Sequence, residues 1–274
     1  VKNLILLLIV LTHVTLEAQR KPRIKGSRIV TEVSEELPAF NAVQLNDDYD
    51  IILKKSFGPG YRIVADDNLI DIFKFKVMDS TLIISAFYDV TAKKQLDITI
   101  NYTDLKAITL KQGSISSDDI IESDELFVDG FENTRLNLRA SASVMDINLE
   151  NTSRAEFNVD VDSLNIGLSD RAEAYIYAVN GTSLIDLDGN GSLTFEGTSD
   201  GFVANLMGNA KLKAERMEAG NIATSIENSA SARIYAYQTL ELKARGNSRT
   251  YLYGNPQINI VEFMDTAQLL KKEE

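Results

Sequence analysis

Residues 240–254 read LELKARGNSRTYLYG, and two other stretches, LNIGLSDRAEAYIYA over 164–178 and IATSIENSASARIYA over 222–236, repeat the same phrasing. Each runs from alternating apolar residues, through Asn or Asp among small residues, into a second alternating run. The central position recurs as Asn133, Asn151, Asp170, Asn190, Asn209, Asn228, Asn247 and Asp265, at separations of 18, 19, 20, 19, 19, 19 and 18 residues. A period near 19 is the mark of a solenoid, whose units bury their apolar faces only against one another.

The alternation on both sides of the corner has strand periodicity. Pairs such as Ile147/Leu149, Ile166/Leu168 and Ile185/Leu187 precede it, and Leu136/Leu138, Phe157/Val159 and Leu193/Phe195 follow it. The sequence therefore predicts an all-β chain, a parallel solenoid resembling a right-handed β-helix. About eight such coils at the usual inter-strand spacing would make a rod of roughly 38 Å. Asn and Asp tolerate left-handed backbone angles and bond their own main chain, which suits a tight corner, and stacked amides can bond one another as a ladder. A leucine-rich repeat would need a fixed leucine framework and often a helical segment; here the leucines wander and no helical face is visible.

Domain boundaries follow from changes of texture. Lys2, the apolar run Leu4 to Leu11 and Ala18 describe a signal peptide over residues 1–18, too short to span a bilayer. Residues 19–30 read as a mobile basic leader, and 31–104 as an N-terminal β region that caps the rod. The repeats occupy 105–274, with Gly113 in phase with the corners.

Composition limits the chemistry. The 274 residues carry a net charge of −12 and no Cys, and the one His, His13, lies in the signal-like run. Without that run, thiol chemistry, His-based triads and His/Cys zinc sites are excluded by inventory. The acidic balance argues against nucleic acid or an anionic membrane as the main partner.

Asp67-Asn68-Leu69 in a short β region, then ~19-residue coils centred on Gly, Asn or Ser, then Tyr253-Gly254-Asn255-Pro256 before one last coil, resembles the head GIN domain family of auto-transporter adhesins. The resemblance covers roughly Val30 to Lys272. It implies a β-helical rod exported by Bacteroidetes-type bacteria, with an adhesion label and no catalytic residues. Glu132, Glu150 and Glu227, each at the position before Asn, depart from the Gly/Ser-rich pattern of the family and alter the charge of one face.

Three candidate sites emerge. Asp186, Asp188 and Asn190 match the opening of an EF-hand loop, but the twelfth position is Gly197 where a bidentate Glu is needed, and Asn190 is already a corner residue. Carboxylates such as Asp118, Asp119, Glu122, Asp160 and Asp162 allow acid/base glycoside chemistry in principle, without a defining constellation. Tyr175, Tyr177, Tyr235, Tyr237, Tyr251 and Tyr253 flank the corners: facing outward they offer amphipathic binding surfaces, facing inward they are core. The reading is an exported, non-enzymatic protein with no cofactor, no metal and no transmembrane segment. It presents a repetitive surface to a glycan or cell-surface protein, with oligomerisation open. The alternatives are a polysaccharide-active β-helix enzyme and a periplasmic structural or signalling module.

Overall fold

Twenty strands, β1 to β20 in chain order, and one helical turn, α1 (Asp67–Ile70), make up residues 21–273, which the computed structural model describes. The signal-peptide reading of residues 1–18 lies outside them. Long segments dominate: β11 (Ser114–Gly130), β12 (Arg135–Leu149), β13 (Arg154–Leu168), β14 (Glu173–Leu187), β15 (Ser192–Leu206), β16 (Lys211–Ile226) and β17 (Ser231–Ala244). They stack in parallel as a β-solenoid of about nine turns with ~19 residues per coil, as the repeat predicts.

Each long segment is two arms joined by a bend. In β13, Ala155, Phe157, Val159 and Val161 point inward, while Arg154, Glu156, Asn158 and Asp160 point out. The alternation then resets at Asp162, and Leu164, Ile166 and Leu168 form the inward row of the second arm. Pairing skips Ser143, Asp162, Gly181 and Asp200, which stack as this second corner. The core is therefore a set of columns running up the rod, such as Leu138, Phe157, Ile176 and Phe195, each side chain covered by its register partners. The two arms meet across it, with the rings of Phe195 and Phe202 edge to face at 6.1 Å.

The first corner is a four-residue turn whose second residue has a positive φ. That residue is Glu132, Asn151, Asp170, Gly189, Gly208, Asn228, Gly246 or Asp265, with φ between 53° and 71°. Its spacing is 19 residues except for one 20 and one 18 around Asn228, where β16 bulges against β15 and β17. The fourth residue is small and buried: Thr134, Ser153, Ala172, Gly191, Ala210, Ala230 and Ser248. A larger side chain there would push the corner away from the core.

This register divides the eight corner residues between two neighbouring positions of the turn. Asn151, Asp170, Asn228 and Asp265 hold the left-handed position itself, whereas Asn133, Asn190, Asn209 and Asn247 sit one residue later. Main chain does most of the stacking: Thr152 N–H donates to Glu132 O at 2.8 Å, Arg171 to Asn151 O at 2.8 Å and Asn209 to Gly189 O at 2.7 Å. One amide-to-amide link joins the corner residues, from Asn209 Nδ2 to Asn190 Oδ1 at 3.3 Å. Gly113 pairs in register with Thr134 and not with the left-handed column, as the bond from Arg135 N to its carbonyl at 3.0 Å shows.

The rungs extend below residue 105 in an order the sequence does not display. β3 (Ala42–Leu45) and β4 (Asp50–Lys55) lie parallel beneath β10 (Ala107–Leu110) and β11. Beneath these in turn are β7 (Thr81–Ala86) and β9 (Leu96–Tyr102). Antiparallel strands then close that end: β6 (Phe73–Met78) on β7, β5 (Gly60–Asp66) on β9 and β2 (Val30–Glu36) on β5. Reversed strands present the wrong hydrogen-bonding direction for a further parallel rung, which blunts the edge. At the far end, among the described residues, no further rung follows the last pairings. Among the described residues, β19 (Gln257–Phe263) and β20 (Gln268–Lys271) pair only with β17 and with β18 (Arg249–Tyr253). Ile258 and Ile260, which continue the inward columns of Leu240 and Leu242, are consequently 44% and 50% exposed.

From residue 21 onward the basic leader lies against the N-terminal β region. β1 (Arg23–Lys25) pairs with β8 (Asp89–Ala92), and Lys21 Nζ donates to Asp47 and to the Ala86 carbonyl. The buried carboxylate of Asp66 accepts main-chain N–H bonds from Arg28 and Lys94 at 3.1 Å and Gln95 at 3.2 Å. Gly26 leaves room for it, since a Cβ there would lie 1.9 Å from Asp66 Oδ2. Burial acts to raise the Asp66 pKa, but the three donors outweigh it and the carboxyl titrates below its usual value. A depressed pKa means the latch is fully stabilising above the unfolded value of ~3.9 and is lost as pH falls through the folded one. Amide exchange at Arg28, Lys94 and Gln95 should stay slow from neutral pH to about 4 once corrected for intrinsic rates, and quicken below it. In Asp66→Ala it should be fast at every pH; equal protection in that variant would refute the latch.

Candidate functional site

Because the core columns are filled, chemistry is confined to the outward columns, and those of the first arm carry the tyrosines. All six alternate with buried neighbours such as Ile176, Ile234, Ala236 and Leu252, so all six face out. Tyr175, Tyr177 and Tyr237 are 39%, 43% and 51% exposed, while Tyr235, Tyr251 and Tyr253 are half-buried. They form two groups, one on β14 and one on β17 and β18, separated by β15 and β16.

Around the first group the wall is concave, about 470 Å³, and lined by Asn137, Arg139, Glu156, Asn158, Tyr175 and Tyr177 among others. The Tyr175 hydroxyl donates to Glu196 at 2.8 Å, one rung up. That bond, followed by burial, raises the phenol's pKa above its ordinary value. Amide, guanidinium and phenol groups thus surround two aromatic faces, a mixture suited to hydroxyl-rich or mixed polar partners.

The second group is differently charged. Arg233 and Lys272 place their cationic groups 5.8 and 5.3 Å from the centre of the Tyr251 ring, within reach of a cation–π attraction. The outward columns there also hold Lys211, Lys213 and Arg249.

The EF-hand-like residues do not converge. Asp186 lies on the second arm and accepts from Asn205 Nδ2 at 2.8 Å. Asp188 opens the corner and accepts from Gly189 N at 2.6 Å, and Asn190 is turned to Asn209. Among the described residues no group of three His, Cys, Asp or Glu side chains is placed to share a metal. Nor, among them, is any helix long and apolar enough to cross a membrane.

One feature escaped the sequence reading. Amide–carboxylate pairs between successive rungs stand on the outer face of the second arm: Asn148 to Asp129 at 3.3 Å, Asn165 to Asp146 at 2.5 Å and Asn205 to Asp186 at 2.8 Å. Their common 19-residue separation was the available signal.

The sequence matches the family described as "Putative auto-transporter adhesin, head GIN domain" over residues 39–184 and 156–256. The chain belongs to this family. The two head GIN spans overlap, as expected of rungs that resemble one another. Among solved structures, a "putative adhesin" from Parabacteroides merdae ATCC 43184 superimposes with a TM-score of 0.67 at 15% identity, covering 92% of this chain and 98% of that one. A "putative adhesin" from Parabacteroides distasonis ATCC 8503 gives the same values, and a "putative lipid binding protein" from that organism gives 0.57 at 20% identity, covering 91% and 99%. At these identities the likeness is one of fold. A search of curated proteins finds no match. Head GIN membership supports a binding or adhesion role and an exported or surface setting, and suggests a protein without enzymatic activity.

Proposed function

We propose that the rod is an exported adhesion-type protein that holds a glycan or cell-surface protein against the outer wall of its first arm. The observation that carries this reading is the outward direction of Tyr175 and Tyr177 in a concave, amide-lined stretch of rigid sheet. A wall of stacked strands does not reorganise on contact, so its side chains are ordered before a partner arrives, which lowers the entropic cost of binding. Repetition along the rod adds avidity where the partner is itself repetitive. The neighbour described as a lipid-binding protein suggests an apolar ligand, but the interior columns here are occupied by side chains with almost no exposure.

The test is a glycan array and a cell-binding assay on wild type and the Tyr175→Ala/Tyr177→Ala pair. Losing such aromatic anchors should cost about 2 kcal/mol, roughly a 30-fold weaker interaction, with the melting temperature little changed because both rings are exposed. Unchanged binding of neutral glycans and of cells in the double variant would defeat this assignment of the wall. Release of reducing ends from a polysaccharide would replace adhesion with catalysis.

A further inference from the structure

Within an acidic chain, the groove formed by the corner end of β16, β17 and β18 has no carboxylate in its lining. About 480 Å³ in volume, it is walled by Lys211, Lys213, Arg233, Arg249 and Tyr251, with Ser229, Ser231 and Asn247 among the polar remainder. Register explains the cluster. Lys211, Ser231 and Arg249 are successive members of one outward column, and Lys213, Arg233 and Tyr251 are successive members of the next. Rungs ~4.8 Å apart and columns two residues apart place four cations in a patch of roughly 10 by 7 Å. Among the described residues Lys211, Lys213 and Arg249 make no ion pair, and Arg233 reaches one carboxylate, Glu215, at 3.4 Å. Tyr251 steadies the patch by attracting both Arg233 and Lys272.

We propose that this groove is an anion subsite for a saccharide chain bearing carboxylate or sulfate groups. The inference rests on the glycan-binding reading of the same wall and adds the ligand's charge. Like-charged side chains held close together repel one another, and an incoming anion relieves that repulsion. Ser229, Ser231 and Asn247 supply hydrogen-bonding groups for ring hydroxyls between the charges. A long nucleic acid or an anionic bilayer fits less well: the patch is small and concave, and the surrounding surface of a protein with net charge −12 would repel either one beyond it.

The experiment is titration of the full chain with oligogalacturonate and a chondroitin sulfate oligosaccharide. The comparison ligands are a neutral cello-oligosaccharide, a single-stranded oligonucleotide and phosphatidylglycerol vesicles. The acidic saccharides should bind, weaken as salt rises, and lose at least tenfold in affinity in Lys213→Glu/Arg249→Glu, whose exposed positions leave the fold intact by thermal unfolding. Tyr175→Ala/Tyr177→Ala should leave this binding in place. Equal affinity for the oligonucleotide or the vesicles would overturn the assignment in favour of a general polyanion patch. Acidic-saccharide affinity unaffected by the charge reversals, or no acidic-saccharide binding at all, would also overturn it. If neutral glycans still bind at Tyr175 and Tyr177 in either of those cases, the broader reading survives; if no glycan binds and cell binding is also unaffected by Tyr175→Ala/Tyr177→Ala, both fail.

Discussion

Replacing Gly197 by alanine is expected to destabilise the rod by about 3 kcal/mol or more, although the change adds a single methyl group. Gly197 has φ +119°, a region closed to L side chains, and a Cβ there would lie 2.0 Å from the carbonyl oxygen of Ala178 on the rung below. That oxygen is main chain held between strands, so it cannot step aside as a flexible side chain would. Gly58 provides the control, since a Cβ there meets nothing within 4 Å. Gly58→Ala should be neutral or slightly stabilising, because it only narrows the unfolded ensemble. Urea unfolding of the two variants should separate them widely. Similar midpoints would mean that β14 and β15 do not approach as closely as the stacked rungs require.

Phe157→Ala should cost about 3–5 kcal/mol, the usual range for emptying a buried aromatic site. Its ring is 1% exposed and is covered in register by Leu138 below and Ile176 above. In a solenoid, stability is close to a sum of nearest-neighbour terms, so the defect acts on two rung interfaces and leaves distant ones alone. Hydrogen exchange should therefore quicken across β12, β13 and β14, while β3, β7 and β10 stay protected. A uniform rise along the whole chain would point to one cooperative unit instead.

Much of this architecture was legible because three independent signals agree: period-2 alternation, a ~19-residue repeat and corner chemistry. What escaped did so for identifiable reasons. Asn is favoured both at the left-handed residue of the corner and at the residue after it, so aligning on Asn merged two neighbouring positions into one column. Glycine supplies the left-handed residue at Gly189, Gly208 and Gly246, which displaces the Asn by one. The out-of-order rungs formed by β3, β4, β7 and β9 could not be read, because short strands carry alternation but no spacing that fixes their partners. Outward tyrosines alternate with inward Ile or Leu, giving two interleaved apolar columns that periodicity cannot rank. Parity counted from the small buried residue of the corner resolves it: Ala172 and Ala174 face in, so Tyr175 and Tyr177 face out. The contacts of the leader were not legible, since its partners Asp47 and Asp66 are distant in sequence.

The most direct test of the stacked-rung account uses the absence of native Cys from this sequence. Cysteines placed in pairs at Arg154 and Glu173, and at Asn165 and Leu184, occupy register partners on the two outer faces. In-register Cα atoms on neighbouring rungs should lie ~4.8 Å apart, inside the range that a disulfide spans. Both pairs should oxidise rapidly and within one chain, whereas Arg154 paired with Tyr177, two columns away along the strand, should not. Efficient crosslinking of the offset pair, or none in the two in-register pairs, would contradict the parallel, in-register stack on which every surface described above depends.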